Sequence, residues 1–181
     1  MKLSVLICTI PSRRMWGLIT DVCNQATEDV EVLWLGDNKS MSIGEKRNRL
    51  LSIATGDYVI FADDDDRVSG DYIKSLLAGI EKGCDVVVFK EVCSINKGKG
   101  KEVFFDIRNG NKDFHDHYER QPNHRMCIKR DIALQVPYKD ISFGEDTDFA
   151  IRVNKLLNSQ AKIDKVLYYY DYNEKTSEAK P

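Results

Sequence analysis

No run of apolar residues in this chain reaches the roughly 20 needed to cross a bilayer as a helix, so the sequence offers no membrane span. The N-terminus, Met1 to Ile10, carries one charge and a short apolar core. Pro11-Ser12-Arg13-Arg14 follows it where a secretory leader would have a small-residue cleavage site, so a buried strand is the expectation. The five cysteines are odd in number and include no C-x-x-C, which argues against a zinc ribbon and a disulfide framework and fits a reducing, cytoplasmic setting. Neither sign of charge prevails: 27 Lys and Arg against 29 Asp and Glu give −2, unlike a surface built wholly for nucleic acid or an anionic membrane. A phosphate-cradling G-x-x-x-x-G-K-[ST] loop is missing, and Gly98-Lys99-Gly100 lacks the third spaced glycine of a dinucleotide fingerprint. There is no internal repeat and no low-complexity linker, so 181 residues with 42% hydrophobic and 31% charged side chains read as one globular domain.

What is present is an alternation of strand and helix signals. Leu3–Thr9 is a near-continuous apolar run of the kind buried on both faces of a sheet. Apolar residues at helical spacing follow from Arg14 to Gln25, then a strand from Val30 to Leu35. Ser42-Ile43-Gly44-Glu45 is a capping box that opens a helix ending at Gly56. Asp57–Ala62 is the third strand, Ser69 the expected cap of the next helix, and Asp85–Lys90 the fourth strand. This βαβαβαβ order predicts an α/β fold with a mostly parallel sheet. The back half is mixed: a hairpin with its tip at Lys97-Gly98-Lys99-Gly100, a polar loop from Asn109 to His124, a strand at Met126–Lys129, a helix at Glu145–Leu157 and a strand at Val166–Tyr170. Trp16 and Trp34 are expected in the core, and one edge of the Tyr168–Tyr170 group beside a cleft.

In open parallel sheets, ligands sit at the carboxyl ends of the strands. Thr9 to Arg14, Asp37-Asn38 and Asp63-Asp64-Asp65-Asp66 all fall there. Alternate residues off an extended end share a side, so Asp63 and Asp65 can present two hard oxygen donors suited to Mg²⁺ or Mn²⁺. The run is otherwise a solvated acidic turn, with Asp66 favoured by a helix dipole. An EF-hand is excluded, because the sixth and twelfth places counted from Asp63 hold Val68 and Lys74. Gly144-Glu145-Asp146-Thr147-Asp148 enters a helix and either complements its dipole or delivers a general base to the sheet mouth. His115-Asp116-His117 reads as a solvated or acceptor-facing loop, since a hard cation is better served by D-x-D.

Taken together, these segments resemble the inverting glycosyltransferases of the GT-A fold, family 2, over roughly Leu3 to Tyr172. Asp37 stands where the family contacts the nucleoside. Gly44-Glu45-Lys46-Arg47-Asn48 with Ala54-Thr55-Gly56-Asp57-Tyr58 is similar to its G-x-x-x-R-N…A-x-G-x-Y segment. Phe61-Ala62-Asp63-Asp64-Asp65-Asp66 is similar to its D-x-D-D stretch, and Gly144-Glu145-Asp146 to its E-D motif. The resemblance implies a donor nucleotide site at Thr9, Pro11, Arg13, Asp37, Lys46, Arg47, Asp63 and Asp64. It implies a Mn²⁺ or Mg²⁺ held by Asp65 and Asp63, and a catalytic pair Asp146 and Glu145 with Asp146 the base. Lys46 and Arg47 either hold donor phosphates or stand as exposed helix charges. The late histidine common in the family is absent from Leu167–Tyr172, and no added acceptor domain is visible. This leaves the small stand-alone transferases, a group with phage-encoded members.

The implied organisation is a single domain, 1–181. Its first half, about 1–95, binds the nucleotide-sugar; its second, about 96–173, supplies acceptor site and base; a polar tail occupies 174–181. The implied donor is a UDP-sugar. The basic residues of the back half (Lys97, Lys99, Lys101, Arg120, Arg125, Lys129, Arg130) suggest an acidic glycan or a hydroxylated nucleic-acid base as acceptor, or are ordinary exposed charges offset by neighbouring acids. The competing functions are a nucleotidyltransferase, disfavoured by the lack of glycine in Thr9–Arg14, and a non-catalytic sugar-nucleotide-binding protein of the same fold.

Overall fold

Apolar residues on both faces put β1 (Leu3–Thr9) inside the sheet, and both neighbours run parallel to it. Those neighbours are β2 (Val30–Gly36) and β3 (Tyr58–Asp63), in register at Leu3↔Val30 and Leu3↔Tyr58. The connections are α1 (Trp16–Gln25) and α2 (Ile43–Ile53). The computed structural model describes residues 1–10, 16–96 and 98–172, without the side chain of Trp16. Pro11 and Arg13, two expected donor contacts, Lys97 at the hairpin tip and the tail therefore lie outside the described residues.

Ser42 caps α2 as expected, its Oγ accepting from the Glu45 N–H at 2.9 Å. The Glu45 carboxylate pairs instead with Arg49 one turn on, at 2.6 Å. Gly56 lies against β1 so closely that a Cβ there would meet Ser4 Oγ at 2.6 Å.

After β3 come β4 (Arg67–Val68), α3 (Tyr72–Ile80) and β5 (Val86–Ile95). The cap residue of α3 is Asp71 rather than Ser69. The Ser69 N–H is drawn to the Leu167 carbonyl, and its hydroxyl donates to Asp71. β5 turns back as the expected hairpin into β6 (Lys101–Phe105). The segment expected as loop holds two short strands, β7 (Lys112–Asp113) and β8 (His117–Arg120), the latter parallel to β6. Neither has the alternation that would betray a strand.

β9 (Cys127–Lys129) inserts antiparallel between β3 and β5, pairing Tyr58↔Lys129 and Val86↔Ile128. α4 (Arg130–Ala133) and α5 (Glu145–Val153) follow, α5 ending short of the expected Leu157. The chain closes with β10 (Gln160–Tyr172), parallel to β5 along its length and antiparallel to β4. The strand begins six residues before the expected Val166. Lys162, Asp164 and Lys165 interrupt its apolar pattern, and its register shifts between Ile163 and Tyr168. The sheet order is β2-β1-β3-β9-β5-β6-β8-β7 with β10 beside β5, a mixed α/β fold with a mostly parallel front. Trp34, expected in the core, is 49% exposed because β2 forms the sheet edge.

Candidate functional site

The carboxyl ends of β1 and β3, the loop after β2, the N-terminus of α5 and the end of β10 enclose one cleft of about 1170 Å³. Thr9, Lys46, Arg47, Asp63, Asp64, Asp65, Glu145 and Asp146 all line it, so the structure brings together most of the residues singled out from sequence. α5 starts sharply at the mouth because Gly144 adopts φ +80°, a left-handed conformation that favours glycine.

Arg47 is the hub. Its guanidinium is buried, 4% exposed, which overturns its reading as an exposed helix charge. It donates to Glu145 Oε1 at 2.9 Å and to Asp63 Oδ1 at 3.1 Å, tying α2, α5 and β3 together. Phe61 and Tyr138 cover its faces at 5.7 and 5.5 Å. Lys46 is equally buried: it pairs with Asp37 and donates to the Thr9 carbonyl at 3.3 Å. Asp37 in turn accepts from Ser40 and from the Met41 N–H, closing a turn over the second strand end. The hydrogen bond from Lys46 chiefly holds its carboxyl well below the ordinary range.

The four aspartates divide their roles. Asp64 is buried and accepts from the Ile10 N–H at 3.3 Å. Asp66 is buried and accepts from the Tyr168 hydroxyl at 2.7 Å; burial pushes its carboxyl up. Asp65 is the exposed member and faces the cleft. Asp63 is half-buried. Burial works to raise its pKa, but His124, Arg47 and Arg125 around it hold the carboxyl well below the usual range. Its backbone N–H donates to Tyr168, so one tyrosine hydroxyl from β10 fixes both ends of the acidic turn.

His124 is a contributor that the sequence reading did not assign to the site, whereas Arg125 was expected only in a basic acceptor face and Tyr168 only in a group with one edge beside a cleft. His124 is 1% exposed with Nε2 at 3.3 Å from Asp63 Oδ2, and its buried Nδ1 has no hydrogen-bond partner among the described residues. Burial, seconded by Arg47, disfavours its protonated form. Arg125 forms a bidentate pair with the fully buried Glu91, both contacts at 3.0 Å, and lies over Tyr170 at 4.6 Å. The only sequence signal was negative: a polar segment that nevertheless leads straight into a core strand. The His115-Asp116-His117 group is elsewhere, with His117 stacked on Phe114 at 4.5 Å and paired with Asp116.

At the other wall, Glu145 is buried and spent on Arg47. Asp146 accepts on Oδ1 from the Thr147 N–H at 2.7 Å, and its Oδ2 makes no hydrogen bond among the described residues. Burial would raise its pKa; the neighbouring His124 and Arg47 outweigh it and hold the carboxyl below the usual aspartate value. Burial pushes the thiol of Cys8, also in the cleft wall, up to about 12, away from the thiolate form that a nucleophile needs.

Among the described residues, no group of three or more His, Cys, Asp or Glu side chains is arranged to hold a metal by itself. Two hard carboxylates at a cleft mouth do fit a divalent ion of the Mg²⁺ type, which keeps waters and substrate phosphates as its other ligands.

A largely parallel sheet with a carboxylate-rich cleft at its strand ends, and an acidic helix start facing it, defines a glycosyltransferase domain of the GT-A type. The sequence profile of glycosyl transferase family 2 matches residues 12–153, and the chain belongs to that family. No curated protein matches it by sequence. In structure it is similar to S. aureus TarS, with TM-score 0.70 and 17% identity, covering 94% of this chain and 37% of that one. It is similar to TarS 1-349 in complex with UDP-GlcNAc (TM-score 0.69, 17% identity, 99% of this chain and 60% of that). The complex of TarS 1-349 with UDP gives TM-score 0.71 at 18% identity, with 94% and 60% covered. The chain thus spans 37% of TarS and 60% of its 1-349 piece, and the likeness is one of fold.

Proposed function

We propose that the chain moves a sugar from a UDP-sugar to an acceptor hydroxyl with inversion, and that Asp146 is the general base. The observation that carries this is the state of Asp146: a carboxylate at the cleft wall, kept ionised, with one oxygen held by the Thr147 N–H and the other uncommitted among the described residues. Such a group can take the proton of an attacking hydroxyl as the new bond forms. One displacement from the face opposite the leaving diphosphate inverts the anomeric centre, and no covalent intermediate is required.

Asp65 with Asp63 would hold a Mn²⁺ or Mg²⁺, which when bound neutralises charge on the leaving diphosphate. The chain's own cations serve a different end. Lys46 fixes the Asp37 turn and the end of β1, while Arg47 fixes Glu145 and Asp63. UDP and UDP-GlcNAc in the TarS complexes support a UDP-type donor. The test is transfer from a panel of UDP-sugars with Mn²⁺ present: wild type should release UDP with product, and Asp146→Asn should bind UDP equally well without turning over. UDP binding with no transfer to any acceptor or to water would refute the enzymatic reading.

A further inference from the structure

A second, smaller hollow of about 190 Å³ abuts the cleft, and Asp146 and Thr147 line both. Its remaining polar wall is Asn111, Arg120, Gln121 and Asn123, all from the segment between β6 and β9. The volume equals that of about six waters, enough for one sugar ring or a short polyol.

The chemistry of the wall is specific. The Asn123 Oδ1 accepts from the Arg125 N–H at 2.9 Å, which turns its Nδ2 donors away from that contact. Gln121 Oε1 accepts from Asn154 Nδ2, whose second bond is to the Ile107 carbonyl, so the Gln121 amide is oriented too. Neither Asn123 Nδ2 nor Gln121 Nε2 donates to another group among the described residues. Carboxamides offer donors and acceptors without charge, which suits hydroxyl groups. Arg120 does not make the hollow an anion site: its guanidinium donates to the Lys112 and Glu119 carbonyls and to Asp113. The Asp146 carboxylate repels anions as well.

We propose that this hollow is the acceptor subsite and that it selects a neutral polyhydroxyl group, a sugar or polyol, over a phosphorylated or carboxylated one. An acceptor seated there presents a hydroxyl to Asp146, which lines both hollows, whereas Asp65 lines only the cleft. The proposal rests on the reading of Asp146 as base and departs from the expectation of a polyanionic acceptor.

The test uses methyl β-glucoside as the neutral probe and glucuronate as the anionic one, each titrated into ¹⁵N-labelled full chain. The neutral probe should shift the side-chain amides of Gln121 and Asn123 and the backbone amide of Thr147, with glucuronate weaker. Asn123→Ala should weaken the neutral probe about five-fold, the effect of one net hydrogen bond, with unchanged UDP binding by calorimetry as the control for folding. Shifts confined to cleft residues such as Met41 and Ile43, no shifts at all, or stronger glucuronate binding would each overturn the proposal. Failure of UDP to bind while the hollow amides still respond would refute the donor site and leave the subsite standing.

Discussion

Asp146 and Glu145 are neighbours in sequence with opposite fates. Asp146→Asn keeps the shape but cannot take a proton, so transfer should fall by roughly 10²–10⁴-fold with UDP affinity intact. Because the Asp146 pKa lies below the ordinary aspartate value, the base stays ionised throughout the neutral range. Transfer should therefore be flat with pH on the acid side until below about pH 4. A fall already at pH 6 would assign the base elsewhere. Glu145→Gln acts on folding instead. It removes the negative charge opposite the buried Arg47 but keeps an acceptor oxygen, so the cost should be below the roughly 3–5 kcal/mol of breaking a buried pair outright. A lower denaturation midpoint is expected in place of a selective loss of turnover. Asp65→Ala should abolish metal-dependent UDP binding in calorimetry and leave stability unchanged, since Asp65 is exposed at the cleft mouth. The acidic run was legible in the sequence as a place. Which of its four members stays exposed at the cleft depended on Arg47, Ile10 and Tyr168, from three other parts of the chain.

α2 shows how an element with ordinary signals acquires an unusual duty. Its cap and its end are written locally, in Ser42 and before Gly56. Its burial of Lys46 and Arg47 is not, because charged residues on a helix ordinarily face water. Gly44 records the close approach that causes it: a Cβ there would stand 1.8 Å from the Lys139 carbonyl oxygen. Gly44→Ala must push α2 away from the loop before α5. We expect a loss of about 1–3 kcal/mol in denaturant unfolding and weaker UDP binding, because Arg47 would no longer reach Glu145. Unchanged stability would mean that the loop yields freely. Among strands, β1, β3 and β5 declared themselves by apolar runs. β7, β8 and the first half of β10 did not, since edge and half-exposed strands carry polar residues that match no period.

For the molecule as a whole, charge is balanced locally as well as in sum. Three of the seven back-half cations expected to form a basic face are paired, Arg125 with Glu91, Lys129 with Asp85 and Arg120 with Asp113, and Lys101 and Arg130 donate to the Phe114 and Ala54 carbonyls. Transfer should therefore be nearly independent of salt, whereas a nucleic-acid acceptor would give a log–log slope near −0.9 per contacted phosphate. A steep slope would restore the basic face. Stability should fall in acid, because Asp37, Asp85 and Asp106 have folded-state pKa values below their unfolded ones. Their contribution is complete above the ordinary aspartate value of about 3.9 and is lost as pH drops below it. Glu91, raised by burial, has the opposite sign, and its effect is already complete once pH falls to the ordinary glutamate value of about 4.3, above that window. Urea midpoints that stay constant down to pH 3 would contradict the assignment. The sequence by itself determined the parallel front of the sheet, the cleft at its strand ends and the acidic segments that reach it. Those follow from local periodicity and from where each loop must emerge. Only the tertiary structure decided that β9 runs antiparallel through the centre, that His124, Arg125 and Tyr168 converge on the acidic turn, and that Lys46 and Arg47 are buried. Contacts between residues 16 to 105 positions apart leave no trace in local pattern.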